Sequence, residues 1–192
     1  IGMDERVAGE VLAKETIKRF KNIVGRLPKR AVVGIHQPGL ICLEMRTEGI
    51  LKVCEELGIP CEKLDITMDP AKGMEILKSY LAKHPDTELI FTLGPAGSHP
   101  AIQLIKEQGL KGKVYHGCID LSDKILDAIR EGITLVAISQ QPAAQAMYSV
   151  FTAYLYLKYG ILPPERIPTG PAVVDKETID IIVKQIETTG GA

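Results

Sequence analysis

Two polar side chains follow neighbouring predicted strands in the stretch from Lys113 to Pro142. Asp120 comes directly after an apolar run, and Gln140 follows the β-branched run Ile133–Ile138. In open α/β sheets, small ligands bind at the carboxyl ends of the strands. A carboxylate and an amide placed there can together accept and donate hydrogen bonds to vicinal hydroxyl groups. Spacing alone slightly favours the alternative, in which both residues only cap loops.

Catalytic chemistry has weak support in the sequence. The carboxylates of Glu44, Asp69 and Asp120 could in principle form an acid–base pair, but acidic residues at loop starts more often cap helices. Ser122 and Ser139 lack the GxSxG context of a hydrolytic nucleophile. We therefore predict that the chain is not an enzyme.

Metal and phosphate sites are equally unsupported. The four histidines, at positions 36, 84, 99 and 116, never fall at metal-chelating helical spacing. His84 is expected at a helix end, whereas His36 follows a strand and is a candidate at the ligand-binding edge. The stretch Gly94–Gly97 lacks the pattern of a phosphate-binding loop, so we predict a tight turn beneath a pocket. No cofactor or metal is expected.

Alternating strands and helices must position these residues. Apolar runs predict strands, and apolar residues at spacings of three and four predict helices. The predicted strands are 30–35, 60–66, 88–93, 114–119 and 133–138, and the predicted helices follow residue 4, cover about 43–57, 70–82 and 100–108, and follow residue 122. This alternation with short loops predicts an α/β fold, with a parallel sheet covered by helices on both faces.

The segment after Gln140 breaks this pattern. Residues 143–159 predict a long helix that is apolar on nearly every side, and such a helix should be buried between layers or against another body. An extended piece at 167–174 and an amphipathic helix at 176–186 follow. Residues 188–192 are expected to form a frayed tail.

Charge and cysteine content argue against several classes of partner. The 23 Lys and Arg residues balance 24 Asp and Glu residues, and the net charge of −1 provides no basic field for nucleic acid or a membrane surface. No apolar run has the length needed to span a bilayer. The four cysteines form no CxxC pair. A Cys54–Cys61 disulfide is open to consideration, but four buried thiols fit the sequence better.

Several stretches together resemble a known family. They are MDERVAGEVLA near the start, RTEGILKVCEELGI, ILKSYLAKHPDTELIF, the GCID…AIREG…AISQQP segment, and YGILPP…IPTGPAVVDKETID at the end. In their order and spacing they are similar to the second half of a type I periplasmic sugar-binding protein of the ribose-binding kind. Such proteins deliver ligands to the permease of an ABC transporter. The resemblance implies an extracytoplasmic protein that binds a sugar or polyol without catalysis or cofactor.

The same resemblance implies a division of the chain between two Rossmann-like lobes joined by three crossovers. Residues 1–139 would form the second lobe, 140–166 a crossover and a helix of the first lobe, and 167–192 the return to the second lobe. The first lobe would precede Ile1. We therefore expect a missing lobe, or a second subunit, to pack on residues 143–159.

The resemblance also assigns candidate ligand-binding residues. Asp120 and Gln140 match positions that hydrogen-bond ring hydroxyls, with charge assistance in the case of Asp120. Met68 falls where relatives often carry an aromatic side chain that stacks on the sugar. Glu44 falls where many carry an arginine that binds hydroxyls, and Arg46 is the nearby arginine that could replace it.

Gly94 is a third departure from the pattern of the family, because relatives often carry Asn–Asp where this chain has Gly94–Pro95. With those at Glu44 and Met68, this departure argues against ribose itself. It points to a different polyol, a cyclitol, a modified sugar or a site with weakened binding.

Other roles share the same lobe architecture. One is the effector-binding domain of a LacI-type transcriptional regulator, which the four cysteines mildly favour because reduced thiols are commoner in the cytoplasm. The closing segment TGPAVVDKETID favours the transporter-type protein instead. A sensor domain of a receptor kinase is a third candidate. An α/β enzyme would need a catalytic dyad that the sequence does not provide.

Overall fold

Five parallel strands and one antiparallel strand form a single sheet in the computed structural model, which describes residues 1–189. The strands are β1 (Arg30–Ile35), β2 (Cys61–Asp65), β3 (Thr87–Thr92), β4 (Tyr115–Ile119), β5 (Thr134–Ser139) and β6 (Ala172–Val174). Their order across the sheet is β2-β1-β3-β4-β5-β6, and β6 runs antiparallel to β5. The central strands are buried along most of their length, because each is covered by helices on both faces.

Helices cover both faces of this sheet. They are α1 (Glu5–Val24), α2 (Ile41–Glu56), α3 (Pro70–Lys83), α4 (Pro95–Glu107), α5 (Asp123–Arg130), α6 (Pro142–Tyr159) and α7 (Ile179–Thr189). α1 and α2 pack on one face around Phe20 and Phe91. α3, α4, α5 and α7 pack on the other face around Leu77 and Ile105. The predicted three-layer α/β/α fold is confirmed.

Polar side chains begin two of the helices at the carboxyl edge of the sheet. Asp69 Oδ1 accepts hydrogen bonds from the N–H groups of Ala71 and Lys72 at the start of α3. Ser122 Oγ accepts one from the N–H of Ile125 at the start of α5. These caps satisfy backbone donors that have no partner within a helix. Asp69 is therefore a helix cap, and its carboxylate is occupied.

α4 begins earlier than the sequence suggested. The predicted tight turn at Gly94–Gly97 is wrong, because α4 starts at Pro95 and its first turn occupies that stretch. Ser98 closes this turn by donating its N–H and its hydroxyl to the Gly94 carbonyl. Pro100 therefore lies inside the helix, where it removes one backbone hydrogen bond. Both prolines suit a helix start, and the sequence pattern selected the wrong one.

α6 is the least covered helix of the described chain. None of its residues is buried, and the side chains of Phe151 and Leu157 are 59% and 82% exposed. The predicted helix at 143–159 is confirmed, while its burial against another body stays a prediction. No helix within residues 1–189 is both long enough and apolar enough to cross a membrane.

The carboxy-terminal prediction is partly wrong. α7 continues through Thr189, so residues 188 and 189 are helical where a frayed tail was expected. The rest of that expected tail, residues 190–192, lies outside the described residues.

Candidate functional site

The order of the strands creates a crevice at the carboxyl edge of the sheet. β1 lies between β2 and β3, so the chain leaves β1 towards one side and returns on the other. At such a switch point the loops diverge and leave room for a ligand. His36 follows β1 and Gly94 follows β3, and a Cβ atom built on Gly94 would lie 3.3 Å from His36 Cε1. These two residues therefore flank the crevice.

Asp120 and Gln140 contact each other beside this crevice. Gln140 Nε2 donates a hydrogen bond to Asp120 Oδ1, and the Asp120 N–H donates to the Ile138 carbonyl at 2.8 Å. Asp120 has a φ of 73°, in the left-handed region that residues other than glycine seldom adopt. Aspartate tolerates this conformation better than most residues, and such backbone outliers cluster at ligand sites.

Arg46 is buried behind this pair. Its Nε donates to Glu5 Oε2 at 2.6 Å, and its Nη1 donates to the Leu93 carbonyl at 2.7 Å. The same Nη1 lies 3.9 Å from Asp120 Oδ2. Arg46 thus connects the start of α1, the end of β3 and the Asp120 carboxylate. The hydrogen bonds of Arg46 go to Glu5 and to the Leu93 carbonyl. Arg46 therefore holds the residues behind the Asp120–Gln140 pair in place.

His36 faces the same group of charges. Burial and the positive charge of Arg46 lower the pKa of His36, and the Asp120 carboxylate opposes them. The imidazole is therefore neutral near pH 7. Its Nδ1 is buried and has no hydrogen-bond partner among the described residues. Buried polar atoms usually have partners, so the unpaired Nδ1 departs from the usual pattern.

Glu44 and Met68 lie apart from this group. Glu44 accepts hydrogen bonds from the Gly39 N–H and from Lys63 Nζ, each at 2.9 Å. The Gly39 N–H, and after it Lys63, lower the pKa of Glu44, so its carboxylate is ionised and holds the loop after β1. Met68 follows β2 and its side chain is 56% exposed. Of the predicted site residues, Asp120, Gln140, Arg46, His36 and Gly94 are brought together, whereas the described contacts of Glu44 are with Gly39 and Lys63 and Met68 is exposed.

An open cavity of about 310 Å³ adjoins the Asp120–Gln140 pair. Its lining residues are Pro95, Asp120, Leu121, Ser139, Gln140, Pro142 and Gln145. Sequence reasoning missed Gln145, whose Nε2 donates to the Gln140 carbonyl at 2.9 Å. A signal was available, because Gln145 is a polar residue in the first turn of an otherwise apolar helix.

A buried chain of hydrogen bonds supports the site from within the sheet. His116 Nε2 lies 2.8 Å from Thr92 Oγ1, and His116 Nδ1 lies 2.9 Å from Thr134 Oγ1. Thr92 Oγ1 in turn lies 2.7 Å from Ser98 Oγ, which donates to the Gly94 carbonyl. Burial lowers the pKa of His116 to about 3, so the ring is neutral. This network of hydrogen bonds ends at the Gly94 carbonyl, on the rim of the crevice.

Comparison with known proteins identifies the family of this chain. The sequence profile of the family described as "Periplasmic binding protein domain" matches residues 1–161. The chain belongs to this family. A search of curated proteins finds no significant match.

Solved structures of other periplasmic binding proteins share the fold. A periplasmic ribose ABC transporter protein from Conexibacter woesei has 26% sequence identity and a TM-score of 0.80, over 95% of this chain and 61% of its own. A periplasmic sugar-binding protein from Legionella pneumophila has 27% identity and a TM-score of 0.76, over 84% of this chain and 59% of its own. A carbohydrate transporter from Acidothermus cellulolyticus, in complex with myo-inositol, has 24% identity and a TM-score of 0.80.

The coverage of this last match is unequal. The match with the Acidothermus protein covers 98% of this chain but only 63% of the Acidothermus chain. The chain therefore spans less than two thirds of the length of such relatives. The three relatives are named as transporter proteins, and no regulator or enzyme is among them. These names do not favour the alternative of a LacI-type regulator.

Proposed function

We propose that the chain is the second lobe of an extracytoplasmic solute-binding protein. It would capture a neutral sugar, polyol or cyclitol and deliver it unchanged to the permease of an ABC transporter. The observation that carries this proposal is the Asp120–Gln140 pair, held against buried Arg46 beside an open cavity. Family membership and the myo-inositol complex of a structural relative support the ligand class.

The free hydrogen-bonding capacity of the pair suits vicinal hydroxyl groups. The Asp120 carboxylate can accept several hydrogen bonds, and Gln140 uses only one of them. Gln140 keeps its carbonyl oxygen and a second N–H hydrogen for a ligand. One hydroxyl can therefore donate to Asp120 while its neighbour accepts from Gln140.

The charge of the site favours a neutral ligand. Glu5 and Asp120 carry two negative charges around the single positive charge of Arg46. Because Arg46 already binds Glu5 and the Leu93 carbonyl, it has little capacity left for an anion. A sugar phosphate or sugar acid would meet uncompensated negative charge, which costs binding energy in a partly buried site. Polyhydroxylated neutral compounds meet no such penalty.

The shape of the cavity favours recognition through hydroxyl groups over stacking. None of the residues that line the described cavity is aromatic. Gly94 adds no side chain, and exposed Met68 offers only a flexible thioether at the end of β2. Aromatic stacking selects sugars with an extended apolar face. In this half of the cleft, recognition therefore depends on hydroxyl groups, which sugars, polyols and cyclitols all supply.

We further propose that residues 140–166 belong to a first lobe that precedes this chain in a longer protein. α6 leaves Met147, Val150, Phe151 and Leu157 more than half exposed, and apolar patches of this kind mark interaction surfaces. The chain also spans only 63% of the Acidothermus relative, which leaves a length of chain sufficient for another lobe. A first lobe would cover α6 and complete the cleft over Asp120.

The arrangement of the three proposed crossovers supports this division. Gly2 and Pro168 form an isolated parallel bridge, in which the Gly2 N–H donates to the Ile167 carbonyl at 3.2 Å. Gln141 Oε1 accepts a hydrogen bond from the Gly170 N–H at 2.9 Å. Three segments that are far apart in sequence thus lie side by side at one edge, as a hinge between two lobes requires.

The test of the binding function uses calorimetric titration of the full-length protein with myo-inositol, D-ribose, D-arabinose and D-allose. We expect one of them to bind and to be recovered chemically unchanged. Asp120→Asn should then weaken binding about 10- to 100-fold, because it removes a charge-assisted hydrogen bond and asparagine tolerates the left-handed backbone. Asp127→Asn, which changes an exposed carboxylate paired with Arg130, is the matched control. Equal affinity of both variants would refute the assignment, and a chemically altered ligand would indicate an enzyme.

The test of the missing lobe compares this chain with the full-length protein. This chain alone should bind weakly, because half of the cleft is absent, and micromolar or tighter affinity of its monomer would contradict the proposal. Leu157→Lys should destabilise the full-length protein by about 1–3 kcal/mol through lost burial and leave this chain unchanged. Leu57→Lys, at an exposed leucine outside α6, is the control. A dimer of this chain that dissociates on Leu157→Lys would instead identify a second subunit as the cover of α6.

A further inference from the structure

Gln141 has an unusual backbone conformation at the start of α6. It directly precedes Pro142 and has a φ of 57° and a ψ of 58°, in the left-handed region. Asparagine and aspartate visit this region more readily than glutamine, because their short side chains can hydrogen-bond locally. A residue of another type that is held there depends on its surroundings. The contacts of Gln141 must therefore support this conformation.

Three hydrogen bonds hold Gln141. Its side-chain Oε1 accepts one from the Gly170 N–H at 2.9 Å, and its own N–H donates one to Ser139 Oγ at 3.1 Å. Its carbonyl accepts the third from the Gln145 N–H at 3.1 Å, inside α6. The first two bonds lead back to the sheet, and the third leads into the helix. Gln141 is therefore the junction between the sheet and α6.

Gly170 is a fixed point for this side chain. It has a φ of 70°, and a Cβ atom built on it would lie 2.8 Å from the Ser139 carbonyl oxygen, so only glycine fits here. Two residues later, Ala172 pairs with Ser139 where β6 joins the edge of the sheet. The backbone at Gly170 is thus held against the end of β5. Gln141 Oε1 is bound to a part of the chain that moves with the sheet.

Gln140 lies between this junction and Asp120. Its Nε2 donates to Asp120, and its carbonyl accepts a hydrogen bond from Gln145 Nε2 at 2.9 Å. Because Gln145 is part of α6, a movement of α6 would carry the Gln140 backbone with it. Within the described residues, Gln141 does not line the cavity beside Asp120 and Gln140. Its side chain can therefore influence a ligand in this cavity only through Gln140.

We propose that Gln141 is the positioning residue for Gln140. Its bond to Gly170 keeps the Gln140 side-chain amide opposite Asp120 while the chain bends at Pro142, where α6 begins. This inference rests on the proposed function, because it takes Gln140 as a ligand-binding residue and α6 as part of the other lobe. It adds the residue that fixes the binding geometry and the point at which the two lobes pivot.

The effect on affinity follows from the loss of one hydrogen bond. Without Gln141 Oε1, the crossover loses its side-chain link to Gly170, while the link from Gln145 to the Gln140 carbonyl remains. The Gln140 amide then follows α6 and no longer has one fixed position. A ligand would have to restore the alignment as it binds, and this ordering weakens binding. One neutral hydrogen bond corresponds to about a 3- to 10-fold loss of affinity.

The experiment compares three substitutions of Gln141 in the full-length protein by NMR and calorimetry. Gln141→Ala removes the acceptor, and Gln141→Gly also removes it but suits the left-handed backbone. Gln141→Glu keeps an oxygen that can accept a hydrogen bond from the Gly170 N–H. Gln103→Ala, at an exposed glutamine that donates to Glu107 on α4, is the matched control.

Two NMR signals report this positioning without any ligand. In Gln141→Ala and Gln141→Gly we expect faster hydrogen exchange of the Gly170 amide and shifted, broader signals of the Gln140 side-chain amide. Gln141→Glu and Gln103→Ala should keep the wild-type signals. Unchanged Gln140 signals in Gln141→Ala would overturn the proposal. Wild-type Gln140 signals in Gln141→Gly would also overturn it, because the backbone conformation alone would then position Gln140.

Calorimetric titration measures the effect on binding, with whichever of myo-inositol, D-ribose, D-arabinose and D-allose the wild type binds. Gln141→Ala and Gln141→Gly should bind about 3- to 10-fold more weakly, and Gln141→Glu should restore the affinity. Wild-type affinity in Gln141→Ala would contradict the proposal. If the wild type binds none of the four compounds while the NMR signals respond as expected, the proposed function fails and the positioning of Gln140 by Gln141 stands.

Discussion

His116 should make the stability of this protein fall in acid by an amount that the structure sets. The ring is fully buried between Thr92 and Thr134, and burial lowers its pKa from 6.5 to about 3. Protonation would place a positive charge on the buried ring and put a proton on both ring nitrogens. Each of these nitrogens already faces a hydroxyl group. The folded protein therefore resists a proton that the unfolded chain accepts.

The sign and size of the effect follow from linkage. Between pH 6.5 and about 3 the unfolded state binds one more proton at this residue, so stability rises with pH. Above pH 6.5 the neutral ring makes its full contribution to the free energy of unfolding. This contribution declines as the pH falls, and the decline ends near pH 3. Each pH unit in this window is worth about 1.4 kcal/mol. At about pH 4.5 the loss amounts to roughly 2–3 kcal/mol, a large part of the stability of a small domain.

Urea unfolding, followed by circular dichroism at several pH values, measures this contribution. His116→Gln keeps a hydrogen-bonding group but cannot be protonated, so its stability should start lower at neutral pH and decline less steeply in acid. The slopes of variant and wild type should differ by about 1.4 kcal/mol per pH unit below pH 6. His84→Gln, at the carboxyl end of α3, is the matched loss of an imidazole outside the buried network. A slope for His116→Gln that is no flatter than that of His84→Gln would refute the reasoning.

Two further predictions concern the contact between α1 and α2 and the support of Asp120. Gly9→Ala should destabilise the fold by about 1–3 kcal/mol, since its Cβ would lie 2.1 Å from the Arg46 carbonyl oxygen. Chemical unfolding measures this loss. A gain in stability from the higher helix propensity of alanine would contradict the close contact. Arg46→Met should lower the free energy of unfolding by roughly 3–5 kcal/mol, because it leaves Glu5 without its buried partner. Lys52→Met, the matched loss of an exposed ion pair, should lower it by under about 1 kcal/mol. Similar losses for Arg46→Met and Lys52→Met would show that the Arg46 contacts are not needed.

The layer order of the fold could be predicted from local patterns. A β-branched run such as Ile133–Ile138 and the apolar spacing of α5 reflect periods of two and 3.6 residues, which the backbone imposes wherever one face is buried. Caps such as Ser122 are equally local, because the side chain bonds a backbone N–H three residues ahead. The start of α4 could not be predicted in this way. Two prolines satisfied the same local rule, and contacts around Gly94 decided between them.

The composition of the site was only partly accessible. Asp120 and Gln140 could be expected to meet, since parallel strands bring their carboxyl ends to one edge. His116 could not be connected with Thr92 and Thr134, because those pairings depend on the register of β4 with its neighbours. Glu44 was expected at the ligand, and its partners in the fold, Lys63 and the Gly39 N–H, could not be read from the sequence. A charged side chain goes to the partner that folding places nearest, and that partner is not visible in a local pattern.

By itself, the sequence determined which segments are strands and helices, which faces are apolar and which polar residues follow the strands, because all of these depend on neighbours within a few positions. Only the tertiary structure decided that Arg46 lies behind Asp120, that His116 meets Thr92 and Thr134, and that α6 has no cover within residues 1–189. Each of these depends on distances between segments that are far apart along the chain. Such distances are set by the packing of the whole core, to which every residue in it contributes.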